Sequence, residues 1–383
     1  MQESATQHIT GHTTGFARKR IENMLSGTGV SINGSQPWDI QVSNPSFFNR
    51  VLINGSLGLG ESYLDGYWDC EQVDETINLI LRSELANSHK FLSHIISYIQ
   101  ATLFNLQKSS RAFQVGEEHY DVGNDLYARM LDNRMTYTCG YWARAKNLDD
   151  AQEDKLDLIC RKMDLQQGMK ILDIGCGWGS FAEYAAKNYG TEVVGVTISA
   201  EQVKLGMERC KGLPVDLRLQ DYREINENFD GIVSIGMFEH VGHKNYRTYM
   251  QTVNRCLRSG GRFLLHTIGK NNSLPGVDPW IAKYIFPNGE IPSLKRIAEA
   301  AEPSLIIEDV HNFGPDYDKT LMAWCRNFNK AWPDLKHQYS DRFYRMWDYY
   351  LKVCAGAFRA RDLQLWQIVM TKGSPAEAFR RPE

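Results

Sequence analysis

The sequence lacks any C-x-x-C pair: its eight cysteines, at positions 70, 139, 160, 176, 210, 256, 325 and 354, stand singly. That pattern argues against a zinc site built from such pairs and against a disulfide framework, and it fits a reduced, cytoplasmic setting. Also missing is an uninterrupted apolar run of membrane-spanning length. The least charged long stretch, 91–107, is broken by His94, Ser97, Gln100 and Asn105, so any meeting with a bilayer is expected at its surface. Residues 1–15 are polar, without an apolar signal core, and are expected to be disordered. A basic excess is absent too. Lys+Arg number 43 against 46 Asp+Glu, a net charge of -3, so no overall field recruits nucleic acid. Neither repeats nor low-complexity segments occur. What remains is a chain of 383 residues, 43% hydrophobic and 23% charged, with enough material for one large domain or two ordinary ones.

The richest stretch is Met169–Ser180. Residues 170–174 carry a short apolar run that predicts a buried parallel strand, and Gly175, Gly177 and Gly179 follow at once. Residues 181–188 have helix-forming composition, with Gly190 as the stop. Strand, glycine turn and helix open a nucleotide-type α/β domain. The dinucleotide fingerprint requires a glycine at the sixth position, where Ser180 stands, and no acid ends the second strand at Thr197. Asp173 instead precedes the turn. Asp173-Ile-Gly-Cys-Gly-Trp-Gly179 matches the E/D-x-G-x-G-x-G opening of S-adenosylmethionine-dependent methyltransferases. A tight turn in some other α/β domain is the competing reading, and the correctly placed strand and helix weigh against it.

Further strands are predicted at 192–197, 216–219, 229–235 and 261–267, with helices at 148–163, 200–211 and 246–258, the last ending at Gly260-Gly261. This alternation predicts a parallel sheet with helices on both faces and ligands beyond the carboxyl ends of the strands. That rim holds the 175–179 loop, Thr197 with Gln202, Asp221 with Tyr222, Glu239 and His266. A helix at 343–358 and a late strand at 364–370 fall in an aromatic tail that reads as a substrate cap. Ahead of the α/β part, a short helix at 21–25, strands at 30–34 and 39–43 and a helix at 45–51 suggest a small α+β module. Gly55-Ser-Leu-Gly-Leu-Gly60 reads as turns, because neither a strand before it nor a lysine after it makes it a phosphate loop. Apolar residues recur at helical spacing over 92–106. They suit a core or linking helix, or an amphipathic surface facing lipid or a second subunit. The linker begins at 108–111, dividing the chain at about residue 110 into an amino-terminal domain, 1–110, and a catalytic domain, 111–383.

A carboxylate, Glu239, and an imidazole, His266, end neighbouring strands and can share one small site. A metal reading is weaker, since two ligands are too few and Cys139 would have to be a third. The chain also resembles the bacterial cyclopropane-fatty-acyl-phospholipid synthases. The matching stretches include Asn54–Tyr63, Glu118-His-Tyr-Asp121, Val194–Gln202, Gly236–Gly242, Leu264–Gly269, Asp278-Pro-Trp280, Tyr284–Gly289 and Cys354–Arg359. The mycolic-acid cyclopropane synthases are similar over the α/β part but lack a module like residues 1–110.

The resemblance implies a Rossmann-like class I methyltransferase core with a smaller α+β amino-terminal domain. It implies a reaction in which the methyl of S-adenosylmethionine becomes a methylene bridge on the cis double bond of an unsaturated phospholipid acyl chain. Bicarbonate, as base, then takes a proton from the new methyl so that the ring closes. By matching position, bicarbonate would be held by Cys139, Glu239, His266, Ile268 and Tyr317. Donors would be the backbone N–H of Cys139 or Ile268, the imidazole and the phenol. Glu239 beside an anion requires a shared proton, or else it orients His266. Cofactor contacts carried over are Tyr137, Thr138, Ile171, Asp173, Gly175, Cys176, Gly177, Trp178, Gly179, Thr197, Ile198, Ser199, Gln202 (towards the ribose), Asp221 (towards the adenine), Tyr222 and Arg223. Cys354 matches a cysteine once considered a nucleophile; the reaction needs none, and packing is the preferred role. The family also suggests a homodimer, bound peripherally to the inner face of the membrane.

Overall fold

The computed structural model describes residues 15–83, 123–302, 304–373 and 378–382. The helix expected over 92–106, the linker at 108–111 and the Glu118–Asp121 motif lie outside the described residues.

Seven strands build the α/β part: β1 Lys170–Ile174, β2 Glu192–Thr197, β3 Val215–Leu219, β4 Phe229–Ile235, β5 Leu257–Lys270, β6 Ile306–Asn312 and β7 Leu363–Thr371. They lie in the order β3-β2-β1-β4-β5-β7-β6. Strands β1 to β5 are parallel, and β7 runs antiparallel to both β5 and β6. The all-parallel expectation is therefore corrected at one edge. The apolar pattern does not predict β6: it carries Glu308 and Asp309, and Ile306 and Ile307 are exposed, as suits an outermost strand. Strand β1, in contrast, is buried on both faces, with Ile171, Leu172 and Ile174 all sealed from solvent.

The chain changes winding direction at β1, which lies between β2 and β4, so the crevice beyond its carboxyl end is the natural ligand position. Gly175, Gly177 and Gly179 take φ of +83°, +55° and +77° there. A Cβ on Gly175 would lie 2.7 Å from that of Met237, so backbone shape and close packing both demand glycine. Helix Leu148–Met163 has the predicted bounds, with Asn147 accepting from the Asp150 N–H as cap. Helix Tyr246–Cys256 ends before the predicted glycines. Gly260 and Gly261 instead lie within β5, where the pairing jumps from Phe229 with Leu257 to Gly231 with Arg262, a bulge that the φ of +75° at Gly260 permits.

The amino-terminal part consists of helices over 15–25, Ser46–Leu64 and Val73–Arg82, with a two-residue antiparallel pair, Gln41–Val42 and Trp68–Asp69. The strand expected at 30–34 reduces to one bridge between Ile32 and Ile40. The 55–60 cluster is helical rather than a set of turns: the Ser46–Leu64 helix kinks at Gly55 and continues. Its glycines serve packing. A Cβ on Gly60 would lie 2.3 Å from the Trp280 ring, so the missing side chain lets this helix lie against the aromatic cap.

Amino-terminal helices and the tail helices Pro315–Leu335 and Asp341–Arg359 share one apolar core. Tyr63 stacks on Tyr349 at 5.1 Å, and Trp280 meets Tyr349 edge-on at 4.8 Å. Arg359, at the end of its helix, ties it to two others: it donates to Asp74 (2.7 Å) and Glu75 (2.8 Å) on Val73–Arg82 and to both oxygens of Asp318 (2.9 and 3.0 Å) on Pro315–Leu335. Arg359→Ala should leave these carboxylates facing one another and lower stability by about 2 kcal/mol in urea unfolding. Partial exposure of the guanidinium keeps the loss below that of a sealed pair. An unchanged midpoint would show that the network contributes nothing to holding the helices together.

Candidate active site

Beyond the carboxyl ends of β1, β4 and β5 lies a cavity of about 590 Å³. Glycines 175 and 177, Cys176 and Trp178 form one end. Ile21, Leu25, Phe47, Val51 and Ile80 from the amino-terminal helices form apolar wall elsewhere.

At the glycine end, Asp173 is 1% exposed and its Oδ1 has no hydrogen-bond partner. Burial pushes its carboxyl up to about 7, against the pull of nearby Lys155. Lys155 is itself buried, donates to Thr138 Oγ1 at 2.8 Å and is pushed down to about 8 by desolvation. Thr138 is held further by Gln152, whose amide donates to its carbonyl at 2.8 Å, and it sits close against Gly236, where a Cβ would meet the Thr138 methyl at 2.4 Å. Tyr137 shares a hydrogen bond of 2.9 Å with Tyr350. Trp178 donates to Asn124 at 3.3 Å. Gln202 lines the cavity and accepts from Thr197 Oγ1 at 2.7 Å, while Ser199 caps its helix. Thr197, Ile198 and Ser199 do not themselves line the cavity; they place Gln202.

Several sequence expectations are met differently. Ile171 belongs to the core behind the sheet, at the start of β1, and does not reach the cavity. Asp221, Tyr222 and Arg223 are also absent from its lining. The Asp221 carboxylate is engaged by Arg223 through Nε at 2.8 Å and through the backbone N–H at 3.0 Å, so in this arrangement its acceptor capacity is turned on its neighbour.

Glu239, Ile268 and Tyr317 line the cavity together. The Ile268 N–H is not free for an anion, because it donates to Glu239 Oε1 at 2.6 Å. Glu239 Oε2 is buried without a partner, and desolvation pushes the carboxyl up to about 7. Cys139 and His266 are sealed and lie outside the lining. Thr320, one helical turn after Tyr317, donates to Cys139 Sγ at 3.9 Å and accepts from the Gly140 N–H at 3.1 Å. Burial raises both the Cys139 thiol and the Tyr317 phenol well above their ordinary values, so both are neutral donors. His266 is two residues before Ile268 on β5, on the same face. Burial lowers its basicity strongly, and its Nε2 is unpartnered. Cys354 lines the cavity, with a thiol raised to about 12 by burial; it is not a thiolate, and a packing role suits it.

The lining also includes His240, within the matched stretch 236–242, and Lys155, outside every motif. His240 is pushed down to about 4 by burial. Lys155 could have been found: Gln152, Lys155, Ile159 and Lys162 fall in phase on the inner face of a helix, where solvated lysines are out of place.

Sheet order, switch point and glycine turn define the fold of a class I S-adenosylmethionine-dependent methyltransferase. A family model for mycolic acid cyclopropane synthetase matches residues 107–368. The chain is 57% identical over 357 residues to the cyclopropane-fatty-acyl-phospholipid synthase of Escherichia coli, covering 92% of this chain and 93% of that one. It is 41% identical to a probable fatty acid methyltransferase of Pseudomonas putida, over 66% of this chain and 68% of the relative. Among solved structures, the cyclopropane synthase MmaA2 of Mycobacterium tuberculosis superposes with a TM-score of 0.65 at 29% identity, over 70% of this chain and 100% of that one. The mycolic acid cyclopropane synthase CmaA1, complexed with SAH and CTAB, gives 0.64 at 31% identity, over 68% and 98%. The chain belongs to the cyclopropane synthase family of S-adenosylmethionine-dependent methyltransferases.

Proposed function

We propose that the protein converts cis double bonds of phospholipid acyl chains into cyclopropane rings, with bicarbonate as the proton acceptor. The observation that carries this reading is Glu239 Oε2, a buried oxygen without a partner on a residue lining a cavity that the glycine turn also lines; His266 Nε2, on the strand that carries Ile268, is a second buried atom without one. Buried polar atoms without partners are costly unless a ligand satisfies them.

S-adenosylmethionine, held by Asp173, the glycine turn and Gln202, would supply an electrophilic methyl group. Bicarbonate, held by Glu239, His266 and Tyr317, would supply the base. The imidazole is too weakly basic and the thiols are fully protonated; Glu239, raised to about 7, is assigned to sharing a proton with the anion. The residues fit a small anion as donors, namely the neutral imidazole, the phenol and Glu239 while it carries its proton. Ile268 acts indirectly, fixing Glu239 through its N–H. The apolar walls exclude water from the carbocation-like centre that methyl transfer creates, and so protect it from capture before the ring closes.

The bilayer would be met through the amino-terminal helices. Phe16 and Ile53 are 69% and 79% exposed, Phe16 shortly before Arg18, Lys19 and Arg20 on its helix, and the amino-terminal helices also wall the cavity. Apolar wedges flanked by cations suit an anionic membrane surface. Among the described residues no helix is long and apolar enough to cross a membrane. Residues 1–110 would thus form a docking module for a catalytic domain over 111–383, on the inner membrane face, and homodimerisation would add avidity.

The test is to incubate the protein with labelled S-adenosylmethionine and vesicles of unsaturated phospholipid. Ring-containing acyl chains are expected. A branched methyl product would instead make it a simple acyl methyltransferase, and unchanged lipid would remove the proposal. Omitting bicarbonate should suppress turnover and restoring it should recover it.

A further inference from the structure

His266 has a buried partner row of its own. Gln367 on β7 pairs directly with His266 on β5 and with His311 on β6, so the three side chains stand side by side on one face of the sheet. Lys162 reaches down from the Leu148–Met163 helix onto this row. Its Nζ lies 2.9 Å from His311 Nδ1 and donates to Gln367 Oε1 at 2.8 Å. Lys162 and Gln367 are both fully buried, and His266 is 1% exposed.

This geometry leaves little choice of proton positions. Below about pH 7, where Lys162 carries its charge, the ammonium only donates, so Gln367 must turn its oxygen to Lys162. Its Nε2 is then the atom 3.3 Å from His266 Nδ1, which must accept. Turning the amide over would set donor against donor at Lys162. With Nδ1 accepting, the neutral ring carries its proton on Nε2, the buried atom that has no partner in the protein.

We propose that Lys162 and Gln367 are positioning residues that hold His266 in its Nε2–H tautomer, so that the ring donates a hydrogen bond to the anionic base and does not compete with it. This rests on the reading of the reaction given above, but the tautomer can be measured without turnover. Burying a lysine solely to brace a sheet would be a costly solution, since burial pushes Lys162 down to about 7.

The experiment uses the full-length protein with ¹⁵N-labelled histidine and a long-range ¹H–¹⁵N correlation, with His266 assigned by its loss in His266→Gln. Below about pH 7, where Lys162 is charged, the wild type should show a protonated Nε2 and a bare Nδ1. In Gln367→Glu the new carboxylate should draw the proton to Nδ1, and in Lys162→Met the freed amide should populate both tautomers. In both variants kcat should fall roughly tenfold or more, with KM for S-adenosylmethionine unchanged. A wild-type ring protonated on Nδ1 would overturn the proposal, even if neither variant folds. So would variants that lose thermal stability but keep the tautomer, or a tautomer change that leaves kcat intact. A wild type with the assigned tautomer that forms no ring product would support the relay and overturn the reaction assignment.

Discussion

Glu239→Gln should reduce turnover by about a hundredfold or more while S-adenosylmethionine binds within a few-fold of wild type. The amide keeps the shape of the carboxyl and can still accept from the Ile268 N–H, so the loop after β4 should stay in place. What it cannot do is share and exchange a proton with an anion. The pH profile carries the same information. Burial raises Glu239 to about 7, so its protonated form, the one that the proposed bicarbonate site needs, is lost as pH rises through that value. Wild-type activity at saturating bicarbonate should therefore decline above neutrality, and the glutamine variant should lack that step. Linkage gives an independent check. Between its ordinary value near 4.5 and about 7, the folded protein holds a proton at Glu239 that the unfolded chain has lost, so stability falls as pH rises through this window. Glu239→Gln should flatten that slope. Equal loss of cofactor binding and of folding would mean that Glu239 serves structure instead.

Asp173→Asn should weaken S-adenosylmethionine binding by about 2 kcal/mol, roughly thirtyfold in Kd by calorimetry. The reason is charge. Asp173 is sealed and its Oδ1 is unpartnered, and in the proposed binding mode the cofactor would bring its cationic groups to the turn beside it. Burial raises this carboxyl to about 7 in the free protein, so at lower pH a proton must leave before a cation can pair with it. Affinity in the wild type should tighten as pH rises through about 7 and then level off, and in the asparagine variant it should be nearly flat. Lys155, close to both Asp173 and Thr138, moderates the effect by favouring the ionised form. A wild-type affinity independent of pH would remove Asp173 from the cofactor's charge environment.

Much of this site was legible locally. Strands β1, β2 and β4 and the Leu148–Met163 helix keep their predicted bounds, because a strand buried on both faces is mostly apolar and a capped helix announces its ends. The 175–179 turn follows from glycine alone, since no other residue tolerates three positive φ values in five positions. Acid at the end of β1, acid after β4 and imidazole on β5 follow from the alternation of strands and helices. Motif matching brought in Cys139, Ile268 and Tyr317, which no periodicity would have selected.

What the chain could not announce was partnership. The Ile268 N–H is spent on Glu239, Asp221 is engaged by Arg223, and Gly60 is a seat for Trp280, each a contact between side chains or layers rather than a property of one stretch. Edge strand β6 was hidden because exposure relaxes the apolar pattern that marks buried strands. Lys162, Gln367 and His311 come together through the antiparallel register of β5, β7 and β6. Composition and short-range pattern thus determined the methyltransferase core and its binding turn. Only tertiary packing decided which polar atoms are paired and which are left without a partner, because burial and hydrogen-bond partners are set by residues distant along the chain.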